Sequence, residues 1–574
     1  MCGIYCIFTL KKLHKVNKIY NEFIKGISQI QNRGYDSAGV MYVVDDTKVV
    51  IKCVSNSKSL AISQLSHNKN ITTNYTGVLL GHTRWATHGS NNELNTHPHS
   101  CYNNRFYIVH NGIFENYLFY KNKLFKQNIA SVSDTDTEVI ANLISFYVEV
   151  CNLSVYDAIY KVSVNMIGNS SLVICDTKDT DKLYLINNGN RLLVGLKDDI
   201  VSISSEISAF DIDTTVYISN DGVSVIDKSQ NQINTLFDFL CVTTDERVEV
   251  VKTSKTILSK EIREQIHYLK NINNFEFVDI QKYEYILLVG CGSSYIASLY
   301  GKLLFNKRGM FNVICINACD FDIDYVPKNK KMLAILISQS GETMDIINVC
   351  NILHSYKIET LSFTNTISSS ISRIVNKNIF MDIGKEMSVA STKSFTATLN
   401  FYHSLTNNIV YFKYLDIFYK YASSIDVSNM IDYDNVFIVG NGIYKPISEE
   451  ASLKMKELCY FDTHSYPIRE LKHGPFAIVT KKSLVFIIGL NISIENLMNT
   501  NSEITSREGN TILIVPDSNQ NQSYTFDNII TVPNTQESPF LVTILFQILA
   551  MKIAIQKNNN VDNPRNLAKS VTVI

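Results

Sequence analysis

The chain opens with Met1-Cys2-Gly3-Ile4, and the apolar residues that follow, as far as Leu10, predict a buried strand directly behind the cysteine. Removal of Met1, which the small Cys2 side chain permits, would leave a thiol and a free α-amino group on one residue. An α-amine titrates near neutrality and can take the proton of the thiol. The plain alternative is a cysteine in a buried strand, since buried cysteines are common. The other motifs of the chain distinguish between these two interpretations.

Composition excludes several classes of function. The chain has 574 residues, a net charge of -1 and 19% charged residues, with nothing typical of a nucleic-acid-binding or membrane-surface protein. Its 12 cysteines include no CxxC pair with zinc-site spacing, and its N-terminus lacks the features of a signal peptide. The longest apolar segment, Phe540 to Ile555, is expected to be too short to span a membrane. These features favour a cytoplasmic protein.

Polar motifs recur at the ends of predicted elements in the first half. In order they are Arg33-Gly34-Tyr35-Asp36-Ser37-Ala38-Gly39, Gly81-His82-Thr83-Arg84-Trp85-Ala86-Thr87-His88-Gly89, His110-Asn111-Gly112 and Ser133-Asp134-Thr135-Asp136-Thr137-Glu138. Five histidines lie between positions 82 and 110, but no cysteine or carboxylate among them has ligand spacing, so we predict no metal site.

Two of these motifs offer specific chemistry. Asn111 and Gly112 supply two N–H donors that can converge on an oxyanion, although a tight Asn-Gly turn is the common alternative. Asp136 precedes the helix predicted from Val139 to Val150, and Thr135 and Glu138 have the spacing of a capping box. A carboxylate at that helix start could also hold the ammonium group of a ligand.

Taken in order, these motifs resemble the glutaminase domain of the N-terminal-nucleophile amidotransferases. The resemblance implies that Cys2 attacks the side-chain carboxamide of glutamine and that Asn111 and Gly112 form the oxyanion hole. It implies that Arg84 pairs with the α-carboxylate of glutamine, Asp136 binds the α-ammonium group, Thr87 and His88 line the pocket, and Trp85 gates the route of ammonia.

From about residue 256, strands alternate with helices, which predicts doubly wound parallel sheets. The strand Tyr285 to Val289 ends in Gly290-Cys291-Gly292-Ser293-Ser294, and the strand Met332 to Ile337 ends in Ser338-Gln339-Ser340-Gly341-Glu342-Thr343. Hydroxyl and backbone N–H groups at such strand ends suit a phosphate, although serine-rich turns are the plain alternative. A second glycine turn, at Gly440 and Gly442, comes 150 residues after the first and predicts an internal duplication.

The second copy carries more ionisable residues. Glu450, Lys454 and Glu457 have the spacing of one helix face, a pattern that is more often a solvated ladder of ion pairs. His473 stands beside a turn, and Lys569 lies in a C-terminal tail whose apolar residues need a place to dock.

This half resembles the tandem sugar-isomerase (SIS) domains of the glutamine–fructose-6-phosphate aminotransferases. The resemblance implies that Lys569 forms a Schiff base with the open-chain ketone and that Glu457 moves a proton between the first two sugar carbons. It implies that His473 opens the sugar ring across a subunit boundary. The implied sugar-phosphate-binding residues are Ser294, Ser338, Gln339, Ser340, Thr343, Val389, Ser391, Glu450 and Lys454.

The expected architecture is therefore a multidomain α/β and α+β chain. We predict a glutaminase sandwich at 2–235, a linker at 236–255, SIS domains at 256–420 and 425–560, and a catalytic tail at 561–574. The resemblance implies conversion of fructose 6-phosphate and glutamine to glucosamine 6-phosphate and glutamate, the first committed step of amino-sugar synthesis, with ammonia channelled between sites. We expect no cofactor, metal, nucleic-acid or membrane partner, and a homodimer.

Two other functions are alternatives to this conversion. A catalytically silent sugar-phosphate-binding regulator would have damage at Cys2, Glu457, His473 or Lys569, and all four residues are intact. A phosphoribosyl or asparagine-forming amidotransferase would need a phosphoribosyl-diphosphate or ATP motif, and the sequence shows neither.

Overall fold

The computed structural model describes residues 2–11, 16–44, 47–56, 59–67, 75–85, 90–189, 192–211, 213–219, 221–229, 238–240, 256–271, 275–276, 278–367, 369–517 and 528–569. The chain divides into two compact units. The N-terminal unit is Met1–Val250 with Ala568–Ile574, and the C-terminal unit is Val251–Leu567.

The N-terminal unit is a sandwich of two antiparallel sheets. Its strands are β1 (Gly3–Thr9), β2 (Ser37–Val44), β3 (Thr47–Val54), β4 (Tyr75–Arg84), β5 (His99–Ser100), β6 (Phe106–Gly112), β7 (Ser170–Asp176), β8 (Lys182–Asn188), β9 (Leu193–Lys197), β10 (Ile200–Ser204), β11 (Thr215–Ile218), β12 (Gly222–Asp227) and β13 (Asp238–Leu240). Its helices are α1 (Val16–Gln29), α2 (Ala61–His67), α3 (Tyr117–Phe125), α4 (Asp136–Glu149) and α5 (Val155–Asn165).

The larger sheet has the order β13-β11-β9-β10-β1-β4-β2-β3, and the smaller has the order β12-β8-β7-β6-β5. Alternating residues of β1 explain the layering, because successive side chains of a strand point to opposite faces. Ile4 and Phe8 pack between the sheets against Val109 of β6. Tyr5 and Phe23 belong to a separate core beneath α1 and α2, and α3, α4 and α5 cover the smaller sheet. The predicted sandwich in the first half of the chain is confirmed.

The structure corrects several local predictions in this unit. Gly81–Arg84 are the last residues of β4, and His110-Asn111-Gly112 end β6 rather than forming the tight turn that was the common alternative. The helix predicted from Val139 begins at Asp136, because the Thr135 hydroxyl accepts a hydrogen bond from the Glu138 amide and caps it there. Asp238–Leu240, inside the interval predicted as a linker, pair with β11.

The C-terminal unit contains two parallel sheets. Its strands are β14 (Tyr285–Gly290), β15 (Val313–Asn317), β16 (Met332–Ile337), β17 (Glu359–Thr364), β18 (Lys377–Phe380), β19 (Asn435–Gly440), β20 (Asp462–Tyr466), β21 (Ser483–Ile488), β22 (Asn510–Pro516) and β23 (Ile529–Val532). Its helices are α6 (Ile257–Asn271), α7 (Ser293–Lys307), α8 (Met344–Ser355), α9 (Ser370–Ile374), α10 (Lys393–Leu405), α11 (Leu415–Ser424), α12 (Tyr444–Lys454), α13 (Ile494–Thr505) and α14 (Ser538–Gln556).

The two parallel sheets repeat one topology. Their orders are β15-β14-β16-β17-β18 and β20-β19-β21-β22-β23, so in each the first strand lies second in the sheet. This is a doubly wound arrangement, in which ligands bind beyond the carboxyl ends of the strands. Residues 286 and 288 of β14 share one core with 436 and 438 of β19. The predicted doubly wound sheets and the internal duplication are confirmed.

Helix α14 corrects the prediction for the apolar segment at 540–555. The helix has 19 residues and is strongly apolar, so its length and composition alone would allow it to span a membrane. However, most of the helix is buried inside the protein, where Phe540, Leu545 and Leu549 belong to the core shared by both parallel sheets. The helix is apolar all round because it is surrounded by protein.

Candidate active sites

The first candidate site lies at the start of β1. Antiparallel pairing places Gly3 of β1 opposite Thr83 of β4, so Cys2 adjoins the end of β4. The Cys2 Sγ donates to the carbonyl oxygen of Trp85 at 3.6 Å. The Arg33 Nε donates to the Cys2 carbonyl at 3.2 Å, and its guanidinium also pairs with Glu206 at 3.0 Å. The half-buried thiol is therefore held in place by groups from three segments of the chain.

Opposite charges flank this thiol. Arg84, the last residue of β4, is 4% exposed, and Cys2 and Asp136 are among the groups that interact with it electrostatically. Burial lowers the pKa of Arg84, and the neighbouring acidic groups oppose that shift. The carboxylate of Asp136, the first residue of α4, accepts a hydrogen bond from the Phe114 amide at 2.8 Å. A buried cation and a buried anion beside one thiol suit an amino acid, which carries both charges.

Asn111 and Gly112 end β6 on the facing sheet. Gly112 has a φ of 129°, and a β-carbon there would collide with the carbonyl oxygen of Asn169, so only glycine fits. The Nε2 of His82 lies 2.9 Å from the His110 carbonyl oxygen and 3.2 Å from the Asn111 Oδ1. A carbonyl can only accept, which assigns the proton of His82 to Nε2. Asn111 therefore turns its oxygen towards His82 and its NH₂ group the other way, as an oxyanion donor requires.

Three histidines of this unit, His82, His97 and His99, form a buried chain of contacts. His97 Nδ1 lies 3.0 Å from His82 Nε2, and His99 Nε2 lies 3.2 Å from the hydroxyl of Thr135, the residue that caps α4. Burial lowers the pKa of His82 to about 3 and the pKa values of His97 and His99 well below their ordinary value. These three side chains are neutral at physiological pH and connect β4, β5 and the start of α4.

We expect acid to destabilise the N-terminal unit. Below pH 6.5 the unfolded chain protonates these histidines and the folded chain does not, so the free energy of unfolding falls as pH decreases from 6.5 towards 3. The loss is about 1.4 kcal/mol per histidine for each pH unit in that window. Urea unfolding followed by Trp85, the only tryptophan of the chain, measures it. His82→Asn is expected to reduce the slope and His67→Gln, at an exposed histidine, to leave it unchanged. A urea midpoint that stays constant between pH 7 and pH 5 would contradict this account.

The structure brings Cys2, Arg84, Trp85, Asn111 and Asp136 to one end of the sandwich, where Trp85 meets the thiol through its backbone. Thr87 and His88 lie outside the described residues. Sequence reasoning missed the part played by His82. Once residues 81–84 are treated as a strand, His82 and Arg84 fall on the same face, and that alternation is the signal that would have found it.

The second candidate site lies at the carboxyl ends of the neighbouring strands β14 and β16. The Ser338 hydroxyl lies 3.1 Å from that of Thr343 and accepts a hydrogen bond from the Gly341 amide. The Ser340 hydroxyl accepts from the Glu342 amide at 3.1 Å, and the Gln339 carbonyl accepts from the Asn365 amide at 3.0 Å. The loop is thus preformed by its own hydrogen bonds.

Other predicted sugar-phosphate residues lie on further segments of the same unit. Ser294 is half-buried in the first turn of α7. Val389 donates its amide to the Asp562 carbonyl at 3.1 Å, and the Ser391 hydroxyl lies 2.7 Å from that of Ser394. The segment before α10 and the chain beyond α14 are therefore joined at Val389.

Glu450, Lys454 and Glu457 form a buried cluster on α12 and the segment after it. The Nζ of Lys454 lies 3.3 Å from Glu450 Oε1 and 2.5 Å from Glu457 Oε2. The side chains of Lys454 and Glu450 are 1% and 2% exposed, and that of Glu457 is 19% exposed. The solvated ion-pair ladder that the bare pattern favoured is therefore wrong. Residues Met455–Cys459 continue α12 as a π-helix, a feature that occurs often at functional sites.

One lysine serves two carboxylates in this cluster. Burial raises the pKa of Glu450 to about 7, with Lys454 opposing that rise and Glu457 adding to it. Burial alone would lower the pKa of Lys454, but the two carboxylates outweigh it and the pKa lies above its ordinary value. Glu457 is the nearer partner of Lys454, and Glu450 is the buried carboxyl group whose pKa is raised. A carboxylate fixed beside an ammonium group can move a proton between adjacent carbons.

Ser293 joins the two parallel-sheet domains, and the sequence did not single it out. Its hydroxyl donates to Glu450 Oε1 at 3.0 Å and lies 3.4 Å from Lys454 Nζ. The glycine turn after β14 therefore meets the ionisable cluster of the second copy. The feature that could have identified Ser293 is its position as the first residue of α7, directly beside Ser294.

Two further predicted residues are His473 and Lys569. His473 ends the 3-10 helix Ile468–His473, where its side chain is exposed and makes no hydrogen bond with other described residues. Lys569 is half-buried and belongs to the N-terminal unit. Nearer the end of α14, Arg565 stacks over Tyr460 and its amide donates to the Tyr460 hydroxyl at 2.8 Å, which docks the start of the tail beside the π-helix.

Comparisons with known proteins give the family of the chain. The SIS domain family matches residues 279–408 and 429–557. The chain is 30% identical to a probable glutamine–fructose-6-phosphate aminotransferase (isomerizing) of Acanthamoeba polyphaga mimivirus and 31% identical to such an enzyme of Buchnera aphidicola, each over all of both chains. A solved structure, the C-terminal domain of glucosamine-fructose-6-phosphate aminotransferase from Francisella tularensis, aligns with 55% of this chain and all of its own at 25% identity and a TM-score of 0.49. The chain belongs to the family of isomerizing glutamine–fructose-6-phosphate aminotransferases.

Proposed function

We propose that Cys2 attacks the carboxamide carbon of glutamine and forms a thioester. Its α-amino group takes the thiol proton and returns it to the departing ammonia, and water then releases glutamate. Arg84 binds the α-carboxylate and Asp136 the α-ammonium group, consistent with the buried charges that flank the thiol. Asn111 and the Gly112 amide stabilise the oxyanion, supported by the orientation that His82 imposes on Asn111. Thr87 and His88 complete the pocket, and Trp85 gates the passage of ammonia.

Fructose 6-phosphate binds at the loop after β16. Ser294, Ser338, Gln339, Ser340 and Thr343 hold the phosphate end, Val389 and Ser391 enclose the sugar, and Glu450 and Lys454 hold Glu457 in place. Lys569 forms a Schiff base with the open-chain ketone, and ammonia replaces it. Glu457 then moves a proton from the first sugar carbon to the second, which gives glucosamine 6-phosphate.

The buried Glu450–Lys454–Glu457 cluster carries this proposal, because its contact with Ser293 places an acid–base group beside a phosphate-type loop. The experiment is a coupled assay on purified protein with fructose 6-phosphate, in parallel with glutamine and with ammonium salt. Glucosamine 6-phosphate from both nitrogen sources supports both sites. Glutamate release without any glucosamine 6-phosphate would refute the sugar half of the proposal.

We infer a homodimer in which His473 opens the sugar ring of the partner's site. The exposure of His473, whose side chain makes no hydrogen bond with the described residues of its own chain, supports this. His473→Asn and Glu457→Gln are each expected to be inactive. When the two variants are unfolded together and refolded, mixed dimers hold one intact site in two, which should restore about a quarter of wild-type activity. If His473 acts within its own chain, the mixture stays inactive.

The domain boundaries given above, with residues 238–240 counted in the N-terminal sandwich, and a cytoplasmic location form part of this proposal. The described cysteines are free thiols, as expected in a reducing compartment. The fractionation of the untagged protein in its source cells tests the location.

A further inference from the structure

Three side chains that could bind a metal ion lie close together, and none of them has a role in the proposed function. They are Cys291, Cys319 and Asp345, whose ligand atoms all lie within 4.8 Å of one another. The two sulfur atoms are 3.6 Å apart. Cys291 and Asp345 are half-buried, and Cys319 is exposed to solvent.

The topology explains why these residues converge. Cys291 follows β14, Cys319 follows β15 and Asp345 stands in the first turn of α8, beyond β16. These three strands are adjacent and parallel, so their carboxyl ends share one edge of the sheet. The ligands therefore come from three separate loops, and no short cysteine spacing in the sequence could reveal them.

The geometry fits a tetrahedral cation with sulfur ligands. Zinc–sulfur bonds of about 2.3 Å at tetrahedral angles place two sulfur atoms about 3.8 Å apart, close to the separation found here. A carboxylate oxygen is an accepted third ligand, and sites that keep a fourth position open are known. Thiolate ligands select zinc-like cations over magnesium or calcium.

Each ligand is held by its own loop. The Cys319 amide donates to the Asn317 side chain at 3.2 Å, which fixes the short helical turn that carries Cys319. Cys291 lies between Gly290 and Gly292 in the turn that starts α7. The Ser294 amide donates to the Cys291 carbonyl at 3.1 Å. The Cys291 peptide must therefore turn before that N–H group can bind a phosphate oxygen.

We propose that Cys291, Cys319 and Asp345 form a binding site for a thiophilic divalent cation of the zinc class, which restrains the Gly290–Ser294 turn. The bound cation ties Cys291 to the loops after β15 and β16. It thereby opposes the rearrangement that frees the Ser294 amide, and it weakens binding of the sugar phosphate. This second effect rests on the proposed function, whereas the binding itself does not.

Cobalt titration tests the site directly. Every protein carries Cys2→Ser, because an N-terminal aminothiol would itself bind the metal. The expected result is one Co²⁺ per chain with a thiolate-to-cobalt charge-transfer band that Zn²⁺ abolishes. Cys319→Ser is expected to weaken Co²⁺ binding at least about tenfold and to reduce the band, and Asp345→Asn to weaken binding while keeping the band. Cys151→Ser, at an exposed cysteine of the N-terminal unit, is the matched control and should bind as the parent does.

The consequence is measured as the KM for fructose 6-phosphate with ammonium salt as nitrogen donor. Zn²⁺ is expected to raise this KM several-fold in the parent and to leave it unchanged in Cys319→Ser. No charge-transfer band, a band that Cys319→Ser leaves at its full intensity, or oxidation of the two thiols to a disulfide in place of metal binding would overturn the site. Metal binding with an unchanged KM would overturn the restraint, and binding without any turnover would refute the proposed function while leaving the site intact.

Discussion

Replacement of Cys2 by serine is expected to abolish formation of glucosamine 6-phosphate from glutamine and to preserve its formation from ammonium salt. Serine keeps the shape of the side chain, but its hydroxyl is a far weaker nucleophile than a thiol at neutral pH. We expect the glutamine-dependent rate to fall by about three orders of magnitude or more, as when other nucleophiles are removed. The ammonium-dependent rate should stay within about twofold, since the acid–base cluster at Glu457 belongs to the other unit.

The matched control is Cys151→Ser, which changes an exposed cysteine of the same unit and should leave both rates unchanged. Intact mass on each sample records whether Met1 is present, because a retained methionine would remove the free amine and mimic the substitution. Equal losses with glutamine and with ammonium would show that Cys2 supports the fold or the sugar site, and would contradict its role as nucleophile.

Replacement of Glu457 by glutamine is expected to stop formation of glucosamine 6-phosphate from either nitrogen source. The amide cannot take up a proton, and losses on removing a positioned acid–base group are typically about 10² to 10⁴ in rate. Hydrolysis of glutamine should persist. The fold should persist as well, because the Glu457 side chain is 19% exposed and Lys454 keeps Glu450 as its partner.

A sharper readout separates proton transfer from sugar binding. Exchange of the hydrogen on the first sugar carbon with solvent should vanish in Glu457→Gln, while the affinity for fructose 6-phosphate changes little. Glu449→Gln is the matched control, since Glu449 lies on the same helix and pairs only with Lys445 among the described charged groups. Retention of the exchange in Glu457→Gln would assign the proton transfer to another group.

The order of the motifs along the chain made much of the fold predictable. The apolar strand behind Cys2 and the repeated glycine turns, at Gly290 and Gly440, have strong local causes: alternating burial in a sandwich and tight turns at parallel strand ends. The apolar pattern predicts a helix start at Val139, three residues after the observed start at Asp136. The difference arises because the cap, Thr135, defines the start more strongly than the apolar pattern does.

What could not be predicted depends on partners distant in the chain. From the sequence alone, a turn is an alternative for the Asn-Gly pair, because nothing in the sequence shows that Ser170 and Ser171 of β7 pair with it and extend the strand. Ser293 reaches Glu450 across 157 positions, and the histidines meet only after two sheets pack face to face. Burial also reversed the expectation for Glu450 and Lys454, because their spacing is the same in a solvated helix and in a core.

The π-helical turn at Met455–Cys459 constrains the number of residues in this region more strongly than it constrains their identity. Such a turn accommodates one more residue than an α-helix of the same rise. Loss of Met455 or Lys456, the two residues between Lys454 and Glu457, would restore a regular α-helix, and the helix itself would tolerate it. Glu457 would then rotate about its axis by about 100° and leave Lys454, with the docking points of Tyr460 displaced as well. Substitutions can therefore accumulate along this turn, whereas deletion of either of those two residues would yield a folded protein unable to isomerise its sugar.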